Sequence, residues 1–199
     1  MYLRQSLLYS LLLLMLAGCA SSPPPVPKTM LDWQAPRQVL VTETRSNLLK
    51  GTKEKSVVWL VVMQQQGDSL RWLRFNLLGA PDSRQILQNG KWRNDGFIPP
   101  NKEARELFAA LLFAWTSPVD VERAYSFSSN HLLFVPDNKD KKKRFIALRG
   151  NNALCIRMIT CYPYPRWEIE WQNWPNQPNR FSIKEYKSGT TWQVRPLEN

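Results

Sequence analysis

The chain has 199 residues, with 27 Lys and Arg against 16 Asp and Glu, a formal net charge of +11 and a mean hydropathy of −0.41. That length suits one folded domain. A single histidine, His131, and three cysteines give no local spacing for a zinc site or a Ser-His-Asp triad, and no phosphate-cradling loop occurs among the eight glycines.

Met1 to Ser6 carry one cation, Arg4, and no acid; Leu7 to Leu16 is almost wholly apolar; Ala17-Gly18-Cys19 closes the run. A charged start, a short apolar middle and a small-residue end predict a secretory signal over 1–18, too short to span a bilayer as a helix. The tetrad Leu16-Ala17-Gly18-Cys19 resembles the lipobox of bacterial lipoproteins. That resemblance implies cleavage before Cys19 and lipid on its thiol and new amino group; an incidental cysteine is the alternative. Ala20 rather than Asp follows it, which in such lipoproteins favours the outer membrane and its periplasmic face. Residues 19–30, with "SSPPPVPK", predict a tether of extended polyproline form. Residues 31–199 form the single domain. Losing residues 1–18 removes Arg4 and no acid, so an excess of ten positive charges remains. Such a surface suits an anionic lipid face or an acidic protein, and it also serves plain solubility. Nucleic acid is not an expected partner in the periplasm.

The domain opens with strand patterns at 38–46 and 56–65. The second, "SVVWLVVMQQ", is apolar on both faces. Across the turn Gln66-Gly67-Asp68, "SLRWLRFNL" sets Leu73, Phe75 and Leu77 on one face and Leu70 and Trp72 on the other, so the two runs form a hairpin. Short strands at 83–88 and 91–93 flank Asn89-Gly90. After Pro99-Pro100, Asn101 caps a helix in which Ala104, Leu107, Phe108, Leu111, Leu112 and Trp115 make one stripe; Ser117-Pro118 ends it, and 119–124 adds a short helical turn. Strands return at 131–135, 143–148, 154–159, 166–171, 181–186 and 191–195. The order predicts an α+β fold: a strongly curved antiparallel sheet of about ten strands, a half-closed barrel, covered on its concave side by an amphipathic helix.

The wall of such a container would comprise Trp59, Leu73, Phe75, Trp167, Ile169, Trp171 and Trp192 on strands, with Leu107, Phe108, Leu111 and Trp115 on the helix lid. The nine tryptophans suit either a ligand-facing wall or solid packing. Cys155 and Cys161 are six steps apart, roughly 20 Å if extended, whereas a disulfide wants Cα atoms about 5.5–6 Å apart. A bond therefore needs a turn between them, and buried free thiols are the alternative. The basic run Lys139–Arg144 is either a solvated hairpin tip or a contact for anionic head groups. Glu168 and Glu170 alternate with aromatics as solvent-facing strand residues do. No cofactor or metal is implied, and no enzyme reading gains support.

"RWLRFNLLG" at 71–79, the short strands after it and the helix "ARELFAALLFAW" resemble the LolB family of outer-membrane lipoproteins, which receive lipoproteins from the periplasmic carrier LolA. In that family a strand ends in an Asn-Pro-Leu-Gly turn whose leucine acts at the membrane. Here Leu78 matches the leucine and Leu77 replaces the proline. The lipobox, tether, "LLG" turn and layout are also similar to a bacterial lipoprotein family, some members of which are encoded beside aryl-polyene lipid biosynthesis enzymes. These resemblances imply an anchor at Cys19, a membrane-touching turn at Leu77 and Leu78, and an apolar cavity for acyl chains. They further imply an acyl-chain, polyene-lipid or lipoprotein cargo bound for the outer membrane, and an acidic LolA-like carrier as partner. The alternative is a tethered scaffold with a solid core and a basic docking face.

Overall fold

The computed structural model describes residues 24, 26–28, 37–45, 55–116, 118–125, 132–137, 141–147, 165–171, 179–186 and 188–197. Cys19, the signal segment, His131, the expected strand at 154–159 and the Cys155/Cys161 pair lie outside them. Ten strands and two helices follow in chain order: β1 (Arg37–Arg45), β2 (Lys55–Gln66), β3 (Ser69–Phe75), β4 (Pro81–Gln88), β5 (Lys91–Asn94), α1 (Lys102–Trp115), α2 (Pro118–Tyr125), β6 (Leu132–Asp137), β7 (Lys141–Ala147), β8 (Pro165–Trp171), β9 (Phe181–Glu185) and β10 (Thr190–Pro196). Short turns explain two of the reversals: Gly67 and Gly90 take positive φ where β2–β3 and β4–β5 fold back.

All ten strands join one sheet in the order β5-β4-β3-β2-β1-β10-β9-β8-β7-β6. Every recorded pairing is antiparallel. Two five-stranded meanders thus meet where β1 pairs β10, with Val41 opposite Val194 and Glu43 opposite Trp192. The edges are β5 and β6, and the chain passes from one edge to the other through α1 and α2.

This architecture corrects the expected fold class. One open sheet dominates, with two short helices covering little of it, so the fold is mainly β rather than an α+β half-closed barrel under an amphipathic lid. The helix also differs in kind. From Leu107 to Trp115 every residue is buried, including Ala109, Ala110, Phe113 and Ala114 off the expected stripe. A helix apolar all round must be enclosed, not laid on a surface. Its only polar positions lie in the first turns, where Asn101 Oδ1 accepts from the Ala104 amide at 3.0 Å. At the other end Thr116 donates its amide (3.1 Å) and hydroxyl (2.7 Å) to the Leu112 carbonyl and stops the helix.

Strands of both meanders reach α1. Trp92 on β5 lies 6.3 Å from Phe108, and Trp167 on β8 lies 6.0 Å from Phe113. Those phenylalanines are about 8 Å apart along the helix. β5 and β8 stand seven strand positions apart, about 34 Å in a flat sheet. Between them the inner face is continuous: Met63, Val61, Val39 and Val41 lead into Val194, Phe181, Ile183, Ile169 and Trp171, all buried.

At one end of the sheet, beside the Asn89-Gly90 turn, the N-terminal segment rests on the body. Val26 packs against the core, its Cγ2 3.9 Å from where a Cβ on Gly90 would stand, and the Lys28 amide donates to the Ala124 carbonyl at 2.6 Å. Residues 26–28 thus dock on α2 and the β4–β5 turn. Because Phe108 is fully enclosed, Phe108→Ala should cost about 3–5 kcal/mol while Lys102→Ala on the exposed first turn stays within about 0.5 kcal/mol, as read by urea denaturation.

Candidate functional site

β3 leaves the sheet at Phe75 into the turn Asn76-Leu77-Leu78-Gly79-Ala80. Leu77 is 70 % and Leu78 93 % exposed. Such exposure of two leucines is not the loose end of a strand, because Asn76 ties the turn down. Its side-chain oxygen accepts from the Leu78 amide at 3.0 Å and the Ala80 amide at 2.9 Å. Its carbonyl accepts from Gly79 N–H, and its own N–H donates to the Ala80 carbonyl, each at 3.0 Å. Gly79 supplies the positive φ, +77°, that closes the loop. An Asn side chain bonding its own backbone two residues on makes a turn without proline, so Leu77 can stand where a proline would otherwise set the geometry.

Directly behind the turn is a seam of paired charges. Arg74, next to last in β3, is only 2 % exposed. Its Nε donates to Asp82 Oδ2 at 2.7 Å, its Nη1 lies 3.8 Å from Glu43 Oε2, and its guanidinium sits 4.3 Å over the Trp59 ring. Glu43, also buried, accepts from Trp59 Nε1 at 3.2 Å, Trp192 Nε1 at 3.4 Å and Arg45 Nε at 2.8 Å. Buried ions persist only when so surrounded. The seam continues to the helix. Arg45 Nη1 donates to Glu103 at 3.2 Å, and that hydrogen bond is the main reason the Glu103 carboxyl lies below the usual carboxylate range. Asn101 Nδ2 donates to Asp82 at 3.1 Å, Gln85 Nε2 to the Asn101 carbonyl at 2.9 Å, and Arg105 Nε to Gln85 at 2.9 Å. The start of α1 is thereby bound to β1, β3 and β4 at the end of the sheet that carries Leu77 and Leu78.

Deeper in, aromatic side chains fill the inner face. Trp72 stacks on Phe108 at 5.2 Å and on Trp115 at 5.9 Å with the rings 9° from parallel, and lies 6.5 Å from Trp92. Arg37 caps this stack, 5.2 Å from the Trp115 ring. The Nε1 donors of Trp72, Trp92 and Trp115 are buried without an acceptor among the described residues. On the other side Trp167 donates to Glu106 at 2.9 Å, and Trp171 packs 5.9 Å from Phe181. Of the residues expected to line the interior, Leu107, Phe108, Leu111, Trp115, Trp167, Ile169, Trp171 and Trp192 are buried together, and Trp59 is partly buried against them.

Leu73 and Phe75 are not among them. β3 buries Leu70, Trp72 and Arg74 and leaves Leu73 and Phe75 half-buried on the opposite face, where Leu73 pairs with Val62 and Phe75 with Leu60. The expected face was the one richer in leucine and phenylalanine. The inner face instead takes a tryptophan and an arginine whose counter-charges come from β1 and β4. The residues at this site that the sequence does not single out are therefore Trp72, Arg74 and Glu43, while Asn76 heads the expected turn. Asn76, three positions before Gly79, carried the one local signal, that of an Asn-headed turn.

Among the described residues no group of three or more His, Cys, Asp or Glu side chains converges as a metal would require. What the arrangement offers is a rigid apolar tip, a neutralised polar collar and an aromatic interior. No protein-family model matches this chain, and comparison with curated proteins finds no match.

Two outcomes follow. Glu43→Ala strips Arg74 of its buried counter-charge, leaving the partly exposed Asp82, and should cost about 3–5 kcal/mol, whereas Glu43→Leu combined with Arg74→Met should cost less than the sum of the single changes in a double-mutant cycle. Leu78→Glu, on an exposed and independently braced turn, should leave the denaturation midpoint within about 0.5 kcal/mol of the parent.

Proposed function

We propose that this chain is a lipid-anchored lipoprotein of the outer membrane, facing the periplasm, that binds acyl chains and helps deliver an acylated molecule to that membrane. The observation that carries the reading is the braced Leu77-Leu78 tip, since two adjacent exposed leucines on a turn held by Asn76 offer a fixed apolar contact to a partner. The lipobox-like tetrad ending at Cys19 supplies the membrane. Acyl chains buried after cleavage contribute about 0.8 kcal/mol per methylene, enough for several chains to hold the protein there. The aromatic interior, where the indole N–H groups of Trp72, Trp92 and Trp115 are buried without an acceptor among the described residues, supports a ligand with an apolar body and oxygen acceptors, as an acyl ester has. No group in this reading performs bond chemistry; transfer runs down the gradient of apolar burial. The cargo would arrive from an acidic periplasmic carrier suited to the chain's positive excess.

The second reading, a tethered scaffold with a solid core, draws on the complete enclosure of α1 and the stacking of Trp72 between Phe108 and Trp115. Native mass spectrometry and lipid extraction of the protein purified from cells separate the two. An acyl species of defined mass that co-purifies and exchanges with added fatty acid, and whose transfer to acceptor vesicles is lost in Leu78→Glu, is the expected result. A mass that never shifts with fatty acid, phospholipid or lipopeptide overturns carriage and establishes the scaffold.

A further inference from the structure

The leucine turn is not alone at its end of the sheet. β4 begins at Pro81, just after that turn, and β5 returns antiparallel to it, with Asn94 opposite Gln85. The Asp95 amide continues the ladder onto the Arg84 carbonyl at 3.1 Å. The loop that follows, Gly96-Phe97-Ile98-Pro99-Pro100, therefore emerges beside the turn, and its Phe97 is fully exposed. It too is braced: Asn94 Nδ2 donates to the Ile98 carbonyl at 2.5 Å, and the Asp95 carboxylate pairs with Arg71 at 2.9 Å and Arg84 at 3.4 Å. Neither 76–81 nor 96–100 contains a charged residue. Immediately behind them Arg74 pairs with Asp82 and Glu43, whereas Arg71 and Arg84 share the single carboxylate of Asp95, and the exposed Lys102 follows the second loop.

We infer that Phe97 and the Leu77-Leu78 turn form one two-pronged tip that inserts into the lipid bilayer in which Cys19 is anchored. This rests on the lipoprotein reading above and extends it to a second loop and an orientation. A bilayer is the occupant that a charge-free apolar tip with exposed cations at its base fits, because the tip enters hydrocarbon while Arg84 and Lys102 stay level with anionic head groups. The reach of the chain agrees. The N-terminal segment docks beside Gly90, at the far end of β4 from the tip. The eight residues of β4 span about 24 Å, and the seven steps from Cys19 to Val26 span about 22 Å as polyproline helix. An anchor in the bilayer and a tip in the same bilayer are thus compatible when the tether runs back alongside steep strands.

The test uses the full lipidated chain, purified from membranes and reconstituted in phosphatidylethanolamine vesicles containing phosphatidylglycerol. Three versions carry a photocrosslinker: Phe97→p-benzoylphenylalanine, Leu78→p-benzoylphenylalanine and Asn89→p-benzoylphenylalanine. Lipid adducts at 97 and 78, about tenfold or more above position 89, are expected, as partition of an exposed aromatic into hydrocarbon implies. Adducts at 78 without 97 overturn the inference and leave the leucine tip standing. Equal labelling at 89 overturns the orientation, and crosslinks to a second copy overturn the bilayer as occupant. An intact mass with no lipid on Cys19 overturns the lipoprotein reading itself and the anchored geometry with it.

Discussion

The central constraint on this molecule is that α1 is apolar around its whole circumference over Leu107–Trp115. A sheet face covers one side of a helix, and the remaining sides of this one carry Phe113 and alanines that have no use for water. Burial from both meanders is the solution: Trp92 of β5 and Trp167 of β8 both reach the helix. Aromatic side chains suit that task. They span the distance from a bent sheet to a helix axis, and Trp72 bridges Phe108 and Trp115 in a single stack.

Enclosing a helix creates a difficulty at its first turn, where unpaired backbone donors and charged side chains enter an apolar space. The seam of Glu43, Arg74, Asp82, Gln85, Asn101 and Arg105 answers it. Each member meets partners from another element, so the seam holds the helix start in register with β1, β3 and β4. Buried ion pairs are a weak source of stability but a strict source of geometry. Here that geometry is inherited by the loops just outside. Arg74 is two residues from Asn76, and Asp95 is two residues from Phe97. The exposed apolar tip therefore stands on a stiff base, which distinguishes it from apolar residues stranded on a mobile loop.

Much of the secondary structure was legible from the chain. Alternation located β1, β3, β8, β9 and β10 to within a residue or two, and Asn101 with the stripe behind it located α1. The layering was less so. Periodicity in β3 leaves two faces of similar apolarity, and the one with Leu73 and Phe75 lies outside while the buried face contains Arg74. Nothing local marks an arginine as interior; that depends on Glu43 and Asp82 arriving from other strands. Likewise the run "FAALLFAW" holds no polar residue, but whether an alanine on its outer side meets water or another strand depends on how far the sheet bends.

By itself the sequence determined where strands, turns and the helix fall, since propensity, capping and hydrophobic period act over a few neighbouring residues. It also determined the lipobox-like boundary at Cys19 and the charge-free composition of 76–81 and 96–100. The tertiary structure alone decided that the sheet of described strands stays open between β5 and β6, that Arg74 faces inward, and that Leu77, Leu78 and Phe97 stay exposed. Those outcomes rest on long-range pairing and on the partners available to a buried charge, and both depend on residues tens of positions apart.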